Sequence, residues 1–391
     1  MARSTVTRRL LLALPALLAL GLLGCAPEPV PEAKPTPTQE QRRQTPDPTP
    51  DPGSDPAAPE LLLASLAHSD EVAVIDPARA EDEVVRRITV GTAPWGVGVH
   101  TDAAGTATGY AATAEGLAIV DLAAGERIAL VPFGHPAPSI SSGEYRPGGL
   151  GLAVSPDGTR VYVAVTEGSG PAWLEVIDTA TRSVVQSVPV GVRPFDVLVA
   201  PDGSWAATVD HDSFTVTVVD AETFAATTYE VAPFGTVGGL ASWEKAHYGA
   251  VEADGTIWLP YQGETVVGLD PRTGAQRTVA SAANSHAHGT ALAETRLLTV
   301  GTGAFGSADG TPNLSILDLE SGAEQVVPLA LPHETVAVWR DADGAEYAAV
   351  AGGNTRDEGW DGVTLVVLDG LATREIPVPG YPQVVVTYPA P

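Results

Sequence analysis

Cysteine is almost absent from this chain, which has one, Cys25, among 391 residues. Because Cys25 lies in the N-terminal segment, the rest of the protein contains no thiol. This excludes disulfides, cysteine-type zinc sites, iron–sulfur clusters and haem attachment through a CxxCH motif from the main domain.

Positive charge is also scarce, with 21 Lys and Arg against 48 Asp and Glu and a formal net charge of −27. Binding to nucleic acid or to an anionic membrane surface needs clustered Lys and Arg. We therefore exclude both as partners and expect attraction of cationic ligands, including metal ions. The alternative is that the acidity only maintains solubility.

Motifs of the common hydrolases and nucleotide enzymes are missing. The chain has no GxSxG nucleophile elbow, no phosphate-binding loop and no HExxH helix. We therefore predict a protein without enzymatic activity. Three glutamates in predicted loops, Glu115, Glu167 and Glu264, leave a lactonase-like hydrolase as the less favoured alternative.

The N-terminal segment has the layout of a secretory signal. Residues 1–25 run from a basic start through the apolar stretch Leu10 to Leu23 and stop at Gly24-Cys25. The run Leu-Leu-Gly-Cys resembles a bacterial lipobox, which implies cleavage before Cys25 and acylation of its thiol. An ordinary signal peptide with an incidental cysteine is the alternative. We predict a lipoprotein outside the cytoplasmic membrane, in the periplasm or at the cell surface.

Residues 26–59 contain Pro, Thr, Glu, Asp and Gln with almost no large apolar residue. Such a segment buries too little surface to order itself, and its prolines favour an extended conformation. We interpret it as a disordered tether between the anchor and a domain over residues 60–391.

That domain is built from repeats. The stretch from Val192 to Glu230 reads as four short apolar runs separated by turns, which predicts a four-stranded antiparallel meander. The third run of this pattern, apolar residues ending in aspartate, occurs in seven copies at intervals of roughly 40 to 55 residues. The seven aspartates are Asp76, Asp121, Asp178, Asp220, Asp270, Asp318 and Asp369.

Four strands per repeat in this period are typical of a β-propeller. We predict an all-β fold of seven four-stranded antiparallel blades. The first repeat has only its three outer strands at the N-terminus, and Gln383 to Thr387 supplies its inner strand from the end of the chain. This closure leaves no exposed sheet edge.

Two repeats carry a more specific pattern. Arg160 to Val165, Ile177-Asp178-Thr179-Ala180-Thr181, Val190-Gly191 and Pro194 to Gly203 together resemble the YVTN-type repeat of bacterial secreted β-propellers. The resemblance implies the propeller fold. It implies little about function, because propellers include binding proteins and enzymes.

The predicted strand order places seven of the eight histidines on one face of the ring, which we call the top. His247, His288 and His333 open the inner strands of three consecutive blades, where neighbouring strands converge on the axis. With His286 beside them, they form a candidate site for zinc, since three or four imidazoles suit a zinc or copper ion. His68 and His211 lie in equivalent loops and form a candidate second site. The alternative is that all are hydrogen-bonded polar residues of a wet channel.

Five carboxylates are candidate oxygen ligands or partners that orient the imidazoles. They are Asp70, Glu71, Asp210, Asp212 and Glu334.

The histidine motifs also resemble those of the periplasmic zinc metallochaperone propellers. The resemblance rests on Ala246 to Val251, His286 to Ala291, and His68 before Ser69-Asp70-Glu71. It implies a zinc site and a metal-uptake binding protein as partner. The chain departs from that family in lacking cysteine and a His-rich N-terminal segment. These differences count against the predicted delivery of metal to a partner more than against the predicted metal site.

The second functional hypothesis is an interaction scaffold. Under either hypothesis we expect the protein to be a monomer. If the protein is a scaffold, the top face docks a protein or a glycan, the histidines are channel residues, and Trp173, Trp243 and Trp360 in or beside the top loops supply the contacts.

Overall fold

The computed structural model describes residues 59–143, 145–168, 170–262, 264–352 and 360–390. The predicted signal segment, Cys25 and nearly all of the predicted tether lie outside these ranges. None of the helices within these ranges is long and apolar enough to cross a membrane.

The described chain forms seven four-stranded antiparallel sheets, as the sequence predicts. From the first blade to the seventh, the strands are β1 Glu60–Leu66, β2 Glu71–Ile75 and β3 Val84–Thr89; β4 Val97–Thr101, β5 Ala107–Ala112, β6 Gly116–Asp121 and β7 Glu126–Pro132; β8 Gly148–Val154, β9 Arg160–Thr166, β10 Pro171–Asp178 and β11 Ser183–Val192; β12 Pro194–Val199, β13 Trp205–Asp210, β14 Thr215–Asp220 and β15 Ala226–Glu230; β16 Ala250–Val251, β17 Ile257–Tyr261, β18 Thr265–Leu269 and β19 Gln276–Ala280; β20 Ala287–Ala293, β21 Arg296–Gly301, β22 Asn313–Asp318 and β23 Glu324–Pro328; β24 Thr335–Arg340, β25 Glu346–Ala351, β26 Gly362–Val367 and β27 Thr373–Pro377; and β28 Pro382–Pro389.

The two middle strands of each blade are the most apolar because blades cover both of their faces. β13, with the sequence WAATVD, is buried along its whole length. The outermost strand of the same blade, β15, is exposed at most positions and carries threonines. Apolar clusters between adjacent blades hold the ring together, so the core is divided among the blade interfaces.

The first blade closes as predicted. β28 pairs antiparallel with β1, with Leu62 opposite Thr387 and Leu63 opposite Val386. The sheet order is β28, β1, β2, β3. The last strand of the chain is therefore the innermost strand of the first blade.

Most of the repeated aspartates cap the turn that follows them. Their carboxylates accept backbone N–H bonds, as in Asp178 with Thr181 at 2.7 Å and Asp318 with Ser321 at 2.7 Å. Asp369 instead accepts a hydrogen bond from Arg296 of the sixth blade at 3.0 Å. These residues are structural, and all lie on the bottom face.

The inner strands approach each other closely around the axis. A Cβ atom on Gly151 would lie 2.6 Å from the carbonyl oxygen of Phe195, and one on Gly289 would lie 2.5 Å from that of Glu334. Only glycine permits this backbone approach. The axis is therefore narrow, and loops that open the inner strands crowd together on the top face.

Candidate metal centre

Three buried histidines meet at the top of the axis. One ring nitrogen of each of His247, His286 and His288 lies within 4.8 Å of the others, and each residue is 2% exposed. Within the described ranges this is the one such group of three or more His, Cys, Asp or Glu residues.

The strand geometry brings two of the three together. His286 precedes β20 and His288 is its second residue, and residues two apart in extended chain point to the same side. The backbone of His286 is held by Thr302 and Gly303, through N–H···O bonds of 2.9 and 3.0 Å. His247 arrives from the neighbouring blade, three residues before β16.

A fourth imidazole, His211, extends the group. Its ring centroid lies 4.1 Å from that of His247. His211 lies in a 3-10 turn, His211–Ser213, that joins β13 to β14 at the top of the fourth blade. We call His211, His247, His286 and His288 the histidine cluster.

A carboxylate orients His211. Nδ1 of His211 lies 2.8 Å from Oδ1 of Asp212, so Nδ1 carries the proton and Nε2 holds the lone pair. Such carboxylate–histidine pairs are the usual support of metal-binding imidazoles. Burial lowers the pKa of His211 to about 4 in spite of the carboxylate, which keeps the ring neutral at neutral pH.

Two cations hold Asp212 in turn. Lys245 Nζ donates to Asp212 Oδ1 at 2.6 Å, and Arg193 donates to Oδ2. Burial disfavours ionisation of Asp212, but the hydrogen bonds from His211 and Lys245 outweigh it and lower its pKa to about 2. The carboxylate therefore stays charged across the physiological range.

His286 is oriented by an amide. Its Nδ1 lies 3.0 Å from Oε1 of Gln262, which accepts the Nδ1 proton and leaves the lone pair on Nε2. The ring also packs against Phe305, with centroids 5.1 Å apart. Two of the four imidazoles, those of His211 and His286, thus have a tautomer defined by the partner of Nδ1.

The spacing is somewhat wide for one ion. Zn–N distances of 2.0–2.1 Å place tetrahedral ligand nitrogens about 3.4 Å apart, whereas the candidate nitrogens are within 4.8 Å. The rings of His247 and His288 are stacked, with centroids 4.0 Å apart and planes inclined by 17°. Because metals bind in the plane of an imidazole, one of these two rings must turn on binding.

His333, which the sequence analysis places with this group, makes hydrogen bonds to other residues in the structure. Its Nδ1 lies 2.8 Å from the carbonyl oxygen of Gly352, and its Nε2 lies 3.2 Å from the hydroxyl of Thr364. The ring packs against Trp360. Burial lowers the pKa of His333 to about 4. The structure thus gives this histidine hydrogen-bond partners on both nitrogens.

His68 and His211, grouped in the sequence as a second site, have different neighbours in the structure. His68 stacks on Tyr381 with centroids 4.6 Å apart, whereas His211 belongs to the histidine cluster. His135 stacks on Trp173 at 3.8 Å. His100 lies beside Gly158 at the bottom of the ring.

Of the candidate carboxylates, Asp212 is the one bonded to a cluster histidine among the described contacts. Asp210 accepts bonds from the hydroxyls of Thr208, Thr215 and Thr217, and burial raises its pKa to about 6. The other three bond away from the cluster: Asp70 with the N–H of Ala93, Glu71 with Arg87, and Glu334 with Gln383.

The residues proposed for the alternative functions are dispersed. Glu115 accepts the N–H of Thr92, and Glu167 and Glu264 are exposed in loops of other blades. Trp243 is 46% exposed, whereas Trp173 and Trp360 are half-buried against His135 and His333.

Lys245, Arg193 and Gln262 were not anticipated as supports of the site. Lys245 could have been found from the sequence, since it is a cation two residues before His247 in a chain with very few lysines. Arg193 and Gln262 have no sequence feature that separates them from other loop residues.

Three solved structures are similar to this chain to different extents. The Kuenenia stuttgartiensis hydrazine synthase is 16% identical, with a TM-score of 0.52 over 71% of this chain and 77% of that one. A functionally unknown protein from Desulfotomaculum acetoxidans DSM 771 is 8% identical, with a TM-score of 0.59 over 83% of this chain and 98% of that one. The dihydro-heme d1 dehydrogenase NirN has 17% identity and a TM-score of 0.47 over 83% of this chain and 55% of that one.

At these identities the likeness extends to the fold, which defines the chain as a seven-bladed β-propeller. No protein-family model matches the sequence, and no curated protein matches it. The YVTN-type repeat therefore stays a prediction from the sequence.

Proposed function

We propose that this propeller binds one transition-metal ion, zinc in the first instance, through the histidine cluster. The observation that carries the proposal is the convergence of His247, His286 and His288, three buried imidazoles with nitrogens within 4.8 Å. A set of three or four neutral nitrogen donors suits zinc, copper and nickel rather than magnesium or calcium. The role we propose for the site is binding of the ion.

The supporting groups favour the same function. Asp212 and Gln262 each accept a hydrogen bond from Nδ1 of a cluster imidazole. This arrangement orients the lone pair of the other nitrogen and raises its basicity.

The biological role we propose is that of an extracytoplasmic metallochaperone that delivers zinc to a metal-uptake binding protein. The signal-like segment ending at Cys25 supports a lipid-anchored location, and the histidine motifs support the metal.

Elemental analysis of the protein, purified without chelators or a His tag, tests metal binding. We expect about one equivalent of zinc after zinc incubation and dialysis, and a loss of most of it in His286→Gln and His288→Gln. His100→Gln, on the bottom face, is the matched control and should keep the metal. A wild-type protein that holds no more zinc than the two site variants would contradict the proposal.

A docking role for the top face is the second candidate, and one observation favours it. Phe234, Val237, Leu240 and Trp243 in one top loop are 41%, 92%, 68% and 46% exposed. Such an exposed apolar patch is typical of a protein-binding surface, and its aliphatic members favour a protein over a glycan.

The patch also connects to the histidine cluster. Lys245 donates both to the carbonyl oxygen of Leu240, at 3.2 Å, and to Asp212. We expect Val237→Ser with Leu240→Ser to slow zinc transfer to a purified metal-uptake binding protein while zinc content stays at the wild-type level. Equal zinc-transfer rates for the wild type and the double variant would show that the apolar patch does not dock the metal-uptake binding protein.

A further inference from the structure

A cavity lies on the axis of the ring, below the histidine cluster. It has a volume of about 170 Å³, and its wall includes residues from the inner strand or the residues just before it in all seven blades. Trp95, Leu150 and Phe195 form a small buried apolar cluster. Trp95 and Leu150 each precede a residue of the cavity wall, and Phe195 is itself part of the wall. The Phe195 ring packs against His211 and His247, so it lies between the cavity and these two histidines.

Asp196 contributes the one carboxyl group to the cavity wall. Its Oδ1 accepts the N–H of Val197 at 2.9 Å, and its Oδ2 accepts the N–H of Gly249 at 3.0 Å. No Lys or Arg lines the cavity, and no ion pair among the described residues includes Asp196. Burial raises its pKa to about 7. The other titratable group in the wall is the phenol of Tyr248.

Asp196 is partly buried, and a carboxylate that has lost much of its hydration is unfavourable unless a proton or a cation neutralises it. Two N–H dipoles offset part of the charge, but each carboxylate oxygen keeps further lone pairs. The cavity offers the space for a neutralising ion, since its volume equals that of about five or six water molecules at ~30 Å³ each.

The other polar side chains of the wall are oxygen donors. Thr290 donates its hydroxyl proton to the carbonyl oxygen of Leu298 at 2.8 Å, and Thr335 donates to that of Gln383 at 2.6 Å. Because both protons are engaged, the hydroxyl oxygens present lone pairs. Carboxylate and hydroxyl oxygens are ligands for hard cations, unlike the imidazoles above them.

We propose that the axial cavity binds one partly hydrated alkali-metal cation, with Asp196 as the charged ligand and Thr290 and Thr335 as oxygen donors. A single carboxylate neutralises one positive charge, whereas a divalent ion would leave a net charge buried in the ring. The site shares no residue with the histidine cluster and offers oxygen instead of nitrogen ligands, and it does not depend on the proposed zinc function.

Thermal melting at a pH about one unit above the Asp196 pKa of about 7 tests the site. The protein is melted in sodium, potassium and N-methylglucamine chloride at equal ionic strength. We expect a higher melting temperature with one or both alkali ions than with the bulky organic cation. The difference should disappear in Asp196→Asn and persist in Glu222→Gln, which removes one exposed negative charge at the bottom face.

Equal melting of the wild type in the three salts would overturn the proposal, as would an unchanged alkali effect in Asp196→Asn. If Asp196→Asn does not fold, Thr290→Val replaces it, because it removes a proposed oxygen donor and keeps the carboxylate. The alkali effect should then weaken, and an undiminished effect would count against the site. Zinc content should be the same in wild type and Asp196→Asn, which separates this test from that of the histidine cluster.

Discussion

Asp212 is the residue on which the orientation of the histidine cluster depends most directly. It joins His211 to Lys245 and Arg193, so a carboxylate between two cations fixes the ring at the edge of the cluster. The cations also keep Asp212 ionised, because a carboxylate that receives several charged hydrogen bonds loses its proton readily.

Asp212→Asn should lower zinc affinity by about 10- to 100-fold, the usual effect of removing the group that orients a metal-binding imidazole. Competition with a chromophoric chelator measures the affinity. Glu222→Gln is the charge-matched control, and its affinity should equal that of the wild type.

Because Asp212→Asn leaves Lys245 and Arg193 without their carboxylate, the variant must also be melted. A folded variant with wild-type zinc affinity would show that Asp212 is a structural group only.

Asp196 makes the stability depend on pH. Its pKa is raised from 3.8 to about 7 in the folded protein, so the folded state binds the proton more tightly than the unfolded state. The stabilisation from this proton is complete below the unfolded pKa and is lost as the pH rises toward 7. In N-methylglucamine buffer, the free energy of unfolding of the wild type should therefore fall between pH 3.8 and 7 relative to that of Asp196→Asn.

Denaturant unfolding of both proteins across this range measures the difference. Comparison with Asp196→Asn is needed because aspartates such as Asp178 and Asp318 have lowered pKa values from their turn hydrogen bonds, which act in the opposite direction. A constant difference between the two proteins would contradict the raised pKa of Asp196.

The sequence predicted which residue types carry the site better than it predicted their partners. His286 and His288 could be placed together because the spacing of two in a strand is a local property. The structure places His211 beside His247 and gives His333 hydrogen-bond partners on both ring nitrogens, since the position of each ring depends on loop paths set by distant contacts. Lys245, 33 residues from Asp212 in the chain, is one such contact.

At the level of elements, the inner strands are the most constrained part of the fold. Their glycines allow neighbouring backbones to touch, and the histidines that open them are brought near the axis as a result. The strand repeats were predictable because alternation and turn residues are local signals. The path of the long top loops was not, because contacts between blades determine it.

Gly151→Ala should destabilise the protein by about 2 kcal/mol or more, at the upper part of the range for added volume in a packed interior. Its Cβ atom would lie 2.6 Å from the carbonyl oxygen of Phe195 and 2.7 Å from the Cα atom of Asp196, and neither is a flexible side-chain end. Chemical denaturation measures the change.

Gly370→Ala is the matched control, since its nearest contact would be the side chain of Val367 at 3.8 Å. We expect a change within about 0.5 kcal/mol there. Similar stabilities of the two variants would mean that the inner strands separate easily.

The whole molecule is a ring closed by β28. Without this strand the first blade has three strands, and β1 exposes an unpaired edge beside the axis. Closure was predictable from the sequence because the first repeat has only three strands and the last repeat is followed by one extra apolar run. That extra run can complete the first blade.

A chain ending at Tyr381 should therefore lose its cooperative thermal transition or melt at a much lower temperature than the full chain. Circular dichroism and calorimetry measure both properties. A chain ending at Ala390 keeps β28 and is the control. Unchanged melting of the shorter chain would show that the closing strand is dispensable.

The closure of the ring also has a consequence for the order of folding. The hydrogen bond from Val384 to the hydroxyl of Ser65 joins residues 319 positions apart, whereas the histidine cluster lies between residues 211 and 288. The entropic cost of forming a loop grows with the logarithm of its length. Pairing β28 with β1 is therefore about 1 kcal/mol more costly in free energy than assembly of the histidine cluster. Contacts of short separation form earlier in folding. We therefore expect the newly made chain to gather its four imidazoles while the ring is still open, so that a metal ion can bind before the protein is complete.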